Sequence, residues 1–240
     1  MSWSWITAGL AAAVLLTALL FGAIEPLHLP PRPKAGQKRV ACVGDSITYG
    51  CFVPGQPWNN YPRRLEKLLG KAYCVGNFGY SDRAAIKSAD HPYTAERLYR
   101  HSLDFQPEIV LLMLGSNDTK KINWDAAAYE CDLSALIDSY LQLPSRPQLF
   151  LLLPPPVFPG GKKVLWRIQG EVLERELLPI CRRVAADKAL PLVDVHADFV
   201  GREELFVEGC HPNARGARLL AETVYEALIQ AGAIEKGKKL

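Results

Sequence analysis

Short, unbroken apolar runs recur along the chain, separated by longer stretches in which apolar side chains return every three or four positions. The runs are RVACVG (39–44), the segment 72–77, EIVLLMLG (108–115), QLFLLL (148–153) and a short one at 191–195. Their length and lack of alternation predict strands buried on both faces. The intervening segments predict helices over 58–69, 94–103, 125–141, 164–187 and 213–231. The stripe Tyr129, Leu133, Leu136, Ile137, Tyr140, Leu141 has the 3.6-residue period of one helix face, as does Ala217, Leu220, Val224, Leu228. Five strands alternating with helices predict an α/β domain with a three-layer α/β/α architecture and a five-stranded parallel sheet. In such sheets, sites lie beyond the carboxyl ends of the strands.

The first part of the chain follows a different pattern. Residues 3–24 are 22 positions without a charged side chain, rich in Ala and Leu, with Trp3 and Trp5 at one end. At about 1.5 Å per residue this stretch spans roughly 33 Å, enough to cross a hydrocarbon core. No Lys or Arg precedes it, and Phe21 spoils the best small-x-small cleavage site. An uncleaved single-pass membrane anchor is therefore expected in preference to a cleaved signal peptide or a buried helix. Pro26, Pro30, Pro31 and Pro33 make the following stretch a stiff linker. The expected organisation is an anchor at 1–24, a Pro-rich linker at 25–38, a globular domain at 39–231 and a basic tail at 232–240. Arg32, Lys34, Lys38 and Arg39 follow the apolar run, a bias that places the domain on the cytoplasmic side.

Composition narrows the options further. The formal charge is +3, from 28 basic and 25 acidic side chains, too small an excess to call for a nucleic-acid partner. The six cysteines (42, 51, 74, 131, 181 and 210) form no C-x-x-C and no zinc-like spacing with histidine, so no metal is expected and mostly free thiols are. Cys42, Cys131 and Cys181 stand in apolar-patterned segments and read as buried.

Chemistry gathers where the strands end. Gly44-Asp45-Ser46 follows the first strand, Asn77-Phe78-Gly79-Tyr80-Ser81 the second, and Gly115-Ser116-Asn117-Asp118 the third. Glu208-Gly209-Cys210-His211-Pro212-Asn213 precedes the last helix. Together these loops hold what acyl transfer needs. Ser46 is the candidate nucleophile, His211 the base, and Glu208 the acid that orients the imidazole. The Ser46 and Gly79 N–H groups and the Asn117 amide are candidate donors to the oxyanion.

These four blocks resemble those of the SGNH hydrolases, the GDSL-type esterases and lipases. Ser46, Gly79, Asn117 and His211 fall on the four name-giving positions in order, and the resemblance covers about 39–231. It implies a Ser-His-acid triad, no cofactor, and hydrolysis of carboxylic esters or thioesters. VGDSITYG (43–50), NFGYSD (77–82), LGSNDTK (114–120), NWD (123–125) and LLPPPVF (152–158) are similar to a bacterial branch of carbohydrate O-acetylesterases. An acetylated sugar is thus the expected substrate, and such a substrate favours an exported domain over a cytoplasmic one. One departure stands out. The family has Asp-x-x-His where this chain has Glu208-x-x-His211. Either Glu208 serves as the acid, or a backbone carbonyl orients His211.

Other readings compete. A lysophospholipase or acyl thioesterase would share the fold, and a catalytically silent, membrane-tethered binding protein would fit the Glu208 departure. Asp45 and Asp118 read as loop-holding, Asp194 and His196 as structural, and Trp58, Tyr61 and Trp124 as packing rather than sugar-stacking residues. Cys210 beside His211 invites a Cys-His reading that Ser46 makes redundant. His28, His91 and His101 read as isolated. Gly44–Gly50 lacks a dinucleotide fingerprint, no Walker A motif occurs, and Thr48 stands where a nucleophile elbow needs Gly.

Overall fold

The computed structural model describes residues 31–158 and 167–235. Five parallel strands form its centre: β1 (Lys38–Gly44), β2 (Tyr73–Gly79), β3 (Ile109–Met113), β4 (Gln148–Leu152) and β5 (Leu192–Val193). Their order is β2-β1-β3-β4-β5. The chain therefore steps from β1 to one side, then crosses back to build the other side. The cleft of a doubly wound sheet opens at that reversal.

The apolar runs are unbroken because both faces of each strand are covered, and the side chains alternate between two cores. Ala41, Val43, Val110, Leu112, Leu149 and Leu151 face one core. Val40, Cys42, Ile109, Leu111, Phe150 and Leu152 face the other. Helices α1 (Ser46–Tyr49), α2 (Gln56–Asn59), α3 (Tyr61–Leu69), α4 (Arg97–Asp104) and α5 (Ala126–Leu141) come first in the chain. The α5 stripe predicted from its period, Tyr129 to Tyr140, is buried in the first core. Later come α6 (Gly170–Val172), a π-helical turn (Leu173–Leu177), α7 (Leu178–Asp187), α8 (Val195–Phe199) and α9 (Ala214–Gln230). Leu220, Val224 and Leu228 of α9 close the second core with Tyr61 and Leu65 of α3.

Several expectations need correction. The helix expected over 58–69 is two pieces, broken at Asn60, whose side chain caps α3 by accepting from Arg63 N–H. The long helix expected over 164–187 is described only from Gly170 and is interrupted by the π turn. Pro179 explains the interruption: it lacks an N–H, and its ring would strike the carbonyl four residues back, so the ladder widens there. The last strand holds two residues rather than five, because Asp194 caps α8 at Ala197 N–H. Cys131 is exposed, on the outer side of α5, whereas Cys42 and Cys181 are buried; Cys42, Cys74, Cys131, Cys181 and Cys210 are free thiols. The expected anchor at 3–24 lies outside the described residues, among which no helix is long and apolar enough to cross a membrane. Of the expected linker, 31–37 is described and contains neither helix nor strand.

Candidate active site

The loop after β1 sets the nucleophile. Asp45 caps α1 by accepting from Ile47 N–H at 2.9 Å, so Ser46 becomes the first helical residue and its side chain projects over the sheet edge. Gly44 and Gly79 make this turn possible. A Cβ on Gly79 would lie 2.2 Å from Tyr49 N, and one on Gly44 would lie 2.5 Å from Met113 O. Neither site tolerates a side chain, so the α1 backbone rests directly on the end of β2.

The histidine arrives from the other side. His211 Nε2 lies 2.8 Å from Ser46 Oγ, and Nδ1 contacts Glu208 Oε1. With a carboxylate at Nδ1, that nitrogen carries the proton and Nε2 is left to accept from the serine hydroxyl. The Glu208–His211 loop is pinned three ways. Val207 N–H donates to His211 O, Asn213 N–H donates to Leu205 O, and Phe158 N–H donates to Gly209 O. Gly209 has φ +90° and packs so closely that a Cβ would meet Phe158 O at 2.3 Å. Asn213, next after Pro212, caps α9 through Arg215 and Gly216 N–H. Placing the histidine and starting the helix are thus done by adjacent residues. Phe52 adds a ring edge against the imidazole, with centroids 5.2 Å apart, and holds φ +61° to do so.

Among the described residues Ser46, Asn117 and His211 line one cavity of about 50 Å³, together with Cys51, Ser81, Asp82 and Ile168. Gly79 and Glu208 stand behind this wall. Asn117 Nδ2 donates to Arg83 O at 3.2 Å and, more weakly, to Asp45 Oδ2 at 3.4 Å. The Gly79 N–H donates to Asn77 Oδ1 at 2.9 Å. Two of the three candidate oxyanion donors, Asn117 and Gly79, thus rest on internal acceptors here. The long Asn117–Asp45 bond is the easier of the two to exchange for a substrate oxygen.

Two carboxyls lie beneath the site. Burial pushes Asp45 up to about 6 and Asp118 up to about 7. Asp118 accepts from Ala85 and Ile86 N–H, which holds the loop after β2 against the loop after β3. Both aspartates are loop-holding, as expected. Burial also raises the Cys210 thiol well above its ordinary value, which makes it a poor nucleophile. Asp194 pairs with Arg182 and caps α8, while His196 Nδ1 meets Pro154 O at 3.1 Å; both are structural. Tyr61 is buried and Trp124 donates to Glu176, whereas Trp58 is exposed. His91 is not isolated: its Nδ1 lies 3.0 Å from Asp82 Oδ2. Phe52, Asp82 and Ile168 were not singled out in the sequence. Asp82 closes the NFGYSD block, but no spacing rule assigns it a place in the cleft.

A serine, a histidine held by a carboxylate, and an amide beside a small cavity at the switch point of a parallel sheet define a serine hydrolase. The chain belongs to the GDSL-like Lipase/Acylhydrolase family, whose model matches residues 42–219. It is 33% identical over 217 residues to an acetylxylan esterase of Xylanibacter ruminicola, covering 82% of this chain but 44% of that protein. The chain thus spans less than half the length of this curated relative. The fold resembles that of the M. smegmatis aryl esterase (TM-score 0.67, 21% identity, 82% of this chain and 99% of that one). It also resembles Est24, a carbohydrate acetylesterase from Sinorhizobium meliloti (TM-score 0.65, 17% identity, 81% and 100% covered).

Proposed function

We propose that the chain is a serine esterase that removes acetyl groups from the hydroxyls of a carbohydrate by way of an acyl-enzyme. The observation that carries this reading is the continuous relay from Ser46 Oγ through His211 to Glu208. Ser46 attacks the ester carbonyl as Nε2 of His211 takes its proton. The negative oxygen of the tetrahedral intermediate is held by the Ser46 N–H, by the Asn117 amide in exchange for its long bond to Asp45, and by the Gly79 N–H as the Asn77 side chain gives way. The imidazolium, balanced by Glu208, returns its proton to the departing alcohol oxygen as the C–O bond breaks. Water then repeats the cycle on the acyl-enzyme, and acetate leaves.

The size of the cavity supports a short acyl group. Among the described residues it offers about 50 Å³, room for roughly three or four water-sized groups, and an acetyl has three heavy atoms. The names of the acetylxylan esterase and of Est24 point the same way. Neither a cofactor nor a metal has a step in this mechanism. A lysophospholipase or thioesterase would need space for a long chain, and a silent binding protein would have no use for the assembled relay.

The test is hydrolysis of nitrophenyl acetate, butyrate and octanoate by the full chain and by Ser46→Ala. Acetate should be preferred, and activity and fluorophosphonate labelling should both vanish in the variant. Preference for octanoate would overturn the acetylesterase reading; labelling that survives in Ser46→Ala would overturn the assignment of the nucleophile. Membrane attachment through residues 3–24 belongs to the proposal on sequence grounds. Fractionation of cells expressing the full chain tests attachment, and a reporter fused after Leu240 reads the side.

A further inference from the structure

An acetyl group is too small to supply much binding energy, so affinity must come from the alcohol half of the ester. One charged side chain lines the cleft and stays partly open to solvent, on the side where an alcohol too large for the acetyl cavity must extend. Asp82 lines the cavity with Ser46 and His211, and its side chain is 40% exposed. Among the described lining residues it is the sole carboxylate, and no lysine or arginine joins it.

The placement of Asp82 is built rather than incidental. Its backbone sits at φ +68°, a region that side chains other than Asn and Asp rarely enter. Its Oδ1 contacts the Lys120 ammonium, and its Oδ2 lies 3.0 Å from His91 Nδ1. The Lys120 side chain is only 9% exposed and also lies 3.4 Å from Asp90 Oδ2. Asp90 Oδ1 accepts from Asn123 Nδ2 at 2.8 Å, and the same amide donates to Asn117 O at 3.0 Å. Asp82 is therefore tied, through Lys120, Asp90 and Asn123, to the loop that carries the oxyanion donor. The cluster holds two carboxylates and one ammonium, with His91 Nδ1 beside both carboxylates. Lys120 already sits against both carboxylates of the Asp82–Asp90–His91 group, which disfavours a divalent cation there.

We propose that Asp82 is the specificity-determining residue for the leaving alcohol. Resting on the acetylesterase reading, this narrows the substrate to esters of neutral polyols, such as uncharged sugars. The carboxylate accepts a charge-assisted hydrogen bond from a free hydroxyl next to the ester oxygen. The same charge repels alcohols that carry a carboxylate, sulfate or phosphate.

The test compares the full chain with Asp82→Asn and Asp82→Gly, both of which tolerate the left-handed backbone. Substrates are nitrophenyl acetate, its ring-carboxylated analogue, a mono-acetylated methyl pyranoside and the matching uronate. The wild type should favour the neutral pyranoside over the uronate by at least about tenfold. In both variants the pyranoside-to-nitrophenyl-acetate ratio of kcat/KM should fall at least about tenfold, mainly through KM. The neutral-to-anionic ratios should contract to within about threefold for both pairs. Variants that slow every substrate by the same factor, or leave the charge ratios intact, would overturn the proposal. Failure of the wild type on both sugar esters, with turnover of long-chain esters, would overturn the acetylesterase reading instead. The aryl pair still reads Asp82 in that case.

Discussion

Replacing Glu208 with Gln removes the charge behind His211 and little else. During acyl transfer the imidazole becomes positive while the carboxylate stays negative, in a loop where the Glu208 side chain is 17% exposed. Opposite charges about 4 Å apart at an effective dielectric of about 20 attract by roughly 4 kcal/mol. The glutamine carbonyl can still accept from Nδ1, which restores about 1 kcal/mol. The remainder, about 3 kcal/mol, corresponds to a fall in kcat of roughly a hundredfold or more. Glu208→Asp withdraws the carboxylate by about one carbon–carbon bond, 1.5 Å. It should stay within about tenfold of the wild type. Turnover of nitrophenyl acetate measures both variants, and thermal melting shows whether either has unfolded. No loss of melting temperature is expected for Gln, because among the described residues Glu208 Oε2 has no hydrogen-bond partner for the substitution to remove. Turnover of Glu208→Gln within threefold of wild type would refute the reasoning and leave a carbonyl to orient the histidine.

Other outcomes follow from the same structure. Burial holds Asp118 at about 7 and Asp45 at about 6, above the ordinary carboxylate range, so the native chain binds more protons than the unfolded one between about pH 4 and 7. Their contribution to stability is complete below that window and is lost as pH rises through it; urea midpoints at about pH 5 and pH 8 should differ less in Asp118→Asn than in wild type. Gly79→Ala forces a Cβ to 2.2 Å from Tyr49 N, a backbone clash that should cost at least about 2 kcal/mol and be visible as a lower melting temperature with lost activity. Phe52→Gly relieves a left-handed φ but removes the ring edge from His211, so kcat should drop about three- to tenfold while stability holds or rises.

The parts of the fold legible in the sequence were those where one constraint acts alone. EIVLLMLG reads as a strand because a central parallel strand is buried on both faces, and α5 reads as a helix because its stripe meets a single sheet face. The π turn before Pro179 was not legible, because an interrupted helix keeps nearly the same apolar spacing as an intact one. Nor was the brevity of β5, which depends on Asp194 turning inward as a cap. At the site, Ser46, Asn117 and His211 could be found because each stands in a loop right after a strand or before a helix. Asp82 and Phe52 could not, since their roles depend on left-handed backbone angles and on partners such as Lys120, 38 residues away.

The common direction of the five strands has a practical consequence. The start of β1 lies at the end of the sheet away from Ser46, roughly 20 Å off at about 3.3 Å per residue of strand. Helix α9 begins beside His211 and runs back for 17 residues, bringing Glu235 near Tyr73, at the start of β2. The C-terminal end of the described domain therefore leaves from the floor while the cleft opens at the roof. A body fixed by that end, to a bead or a fusion partner, would present its catalytic mouth outward, open to a polymer too large to enter from the side.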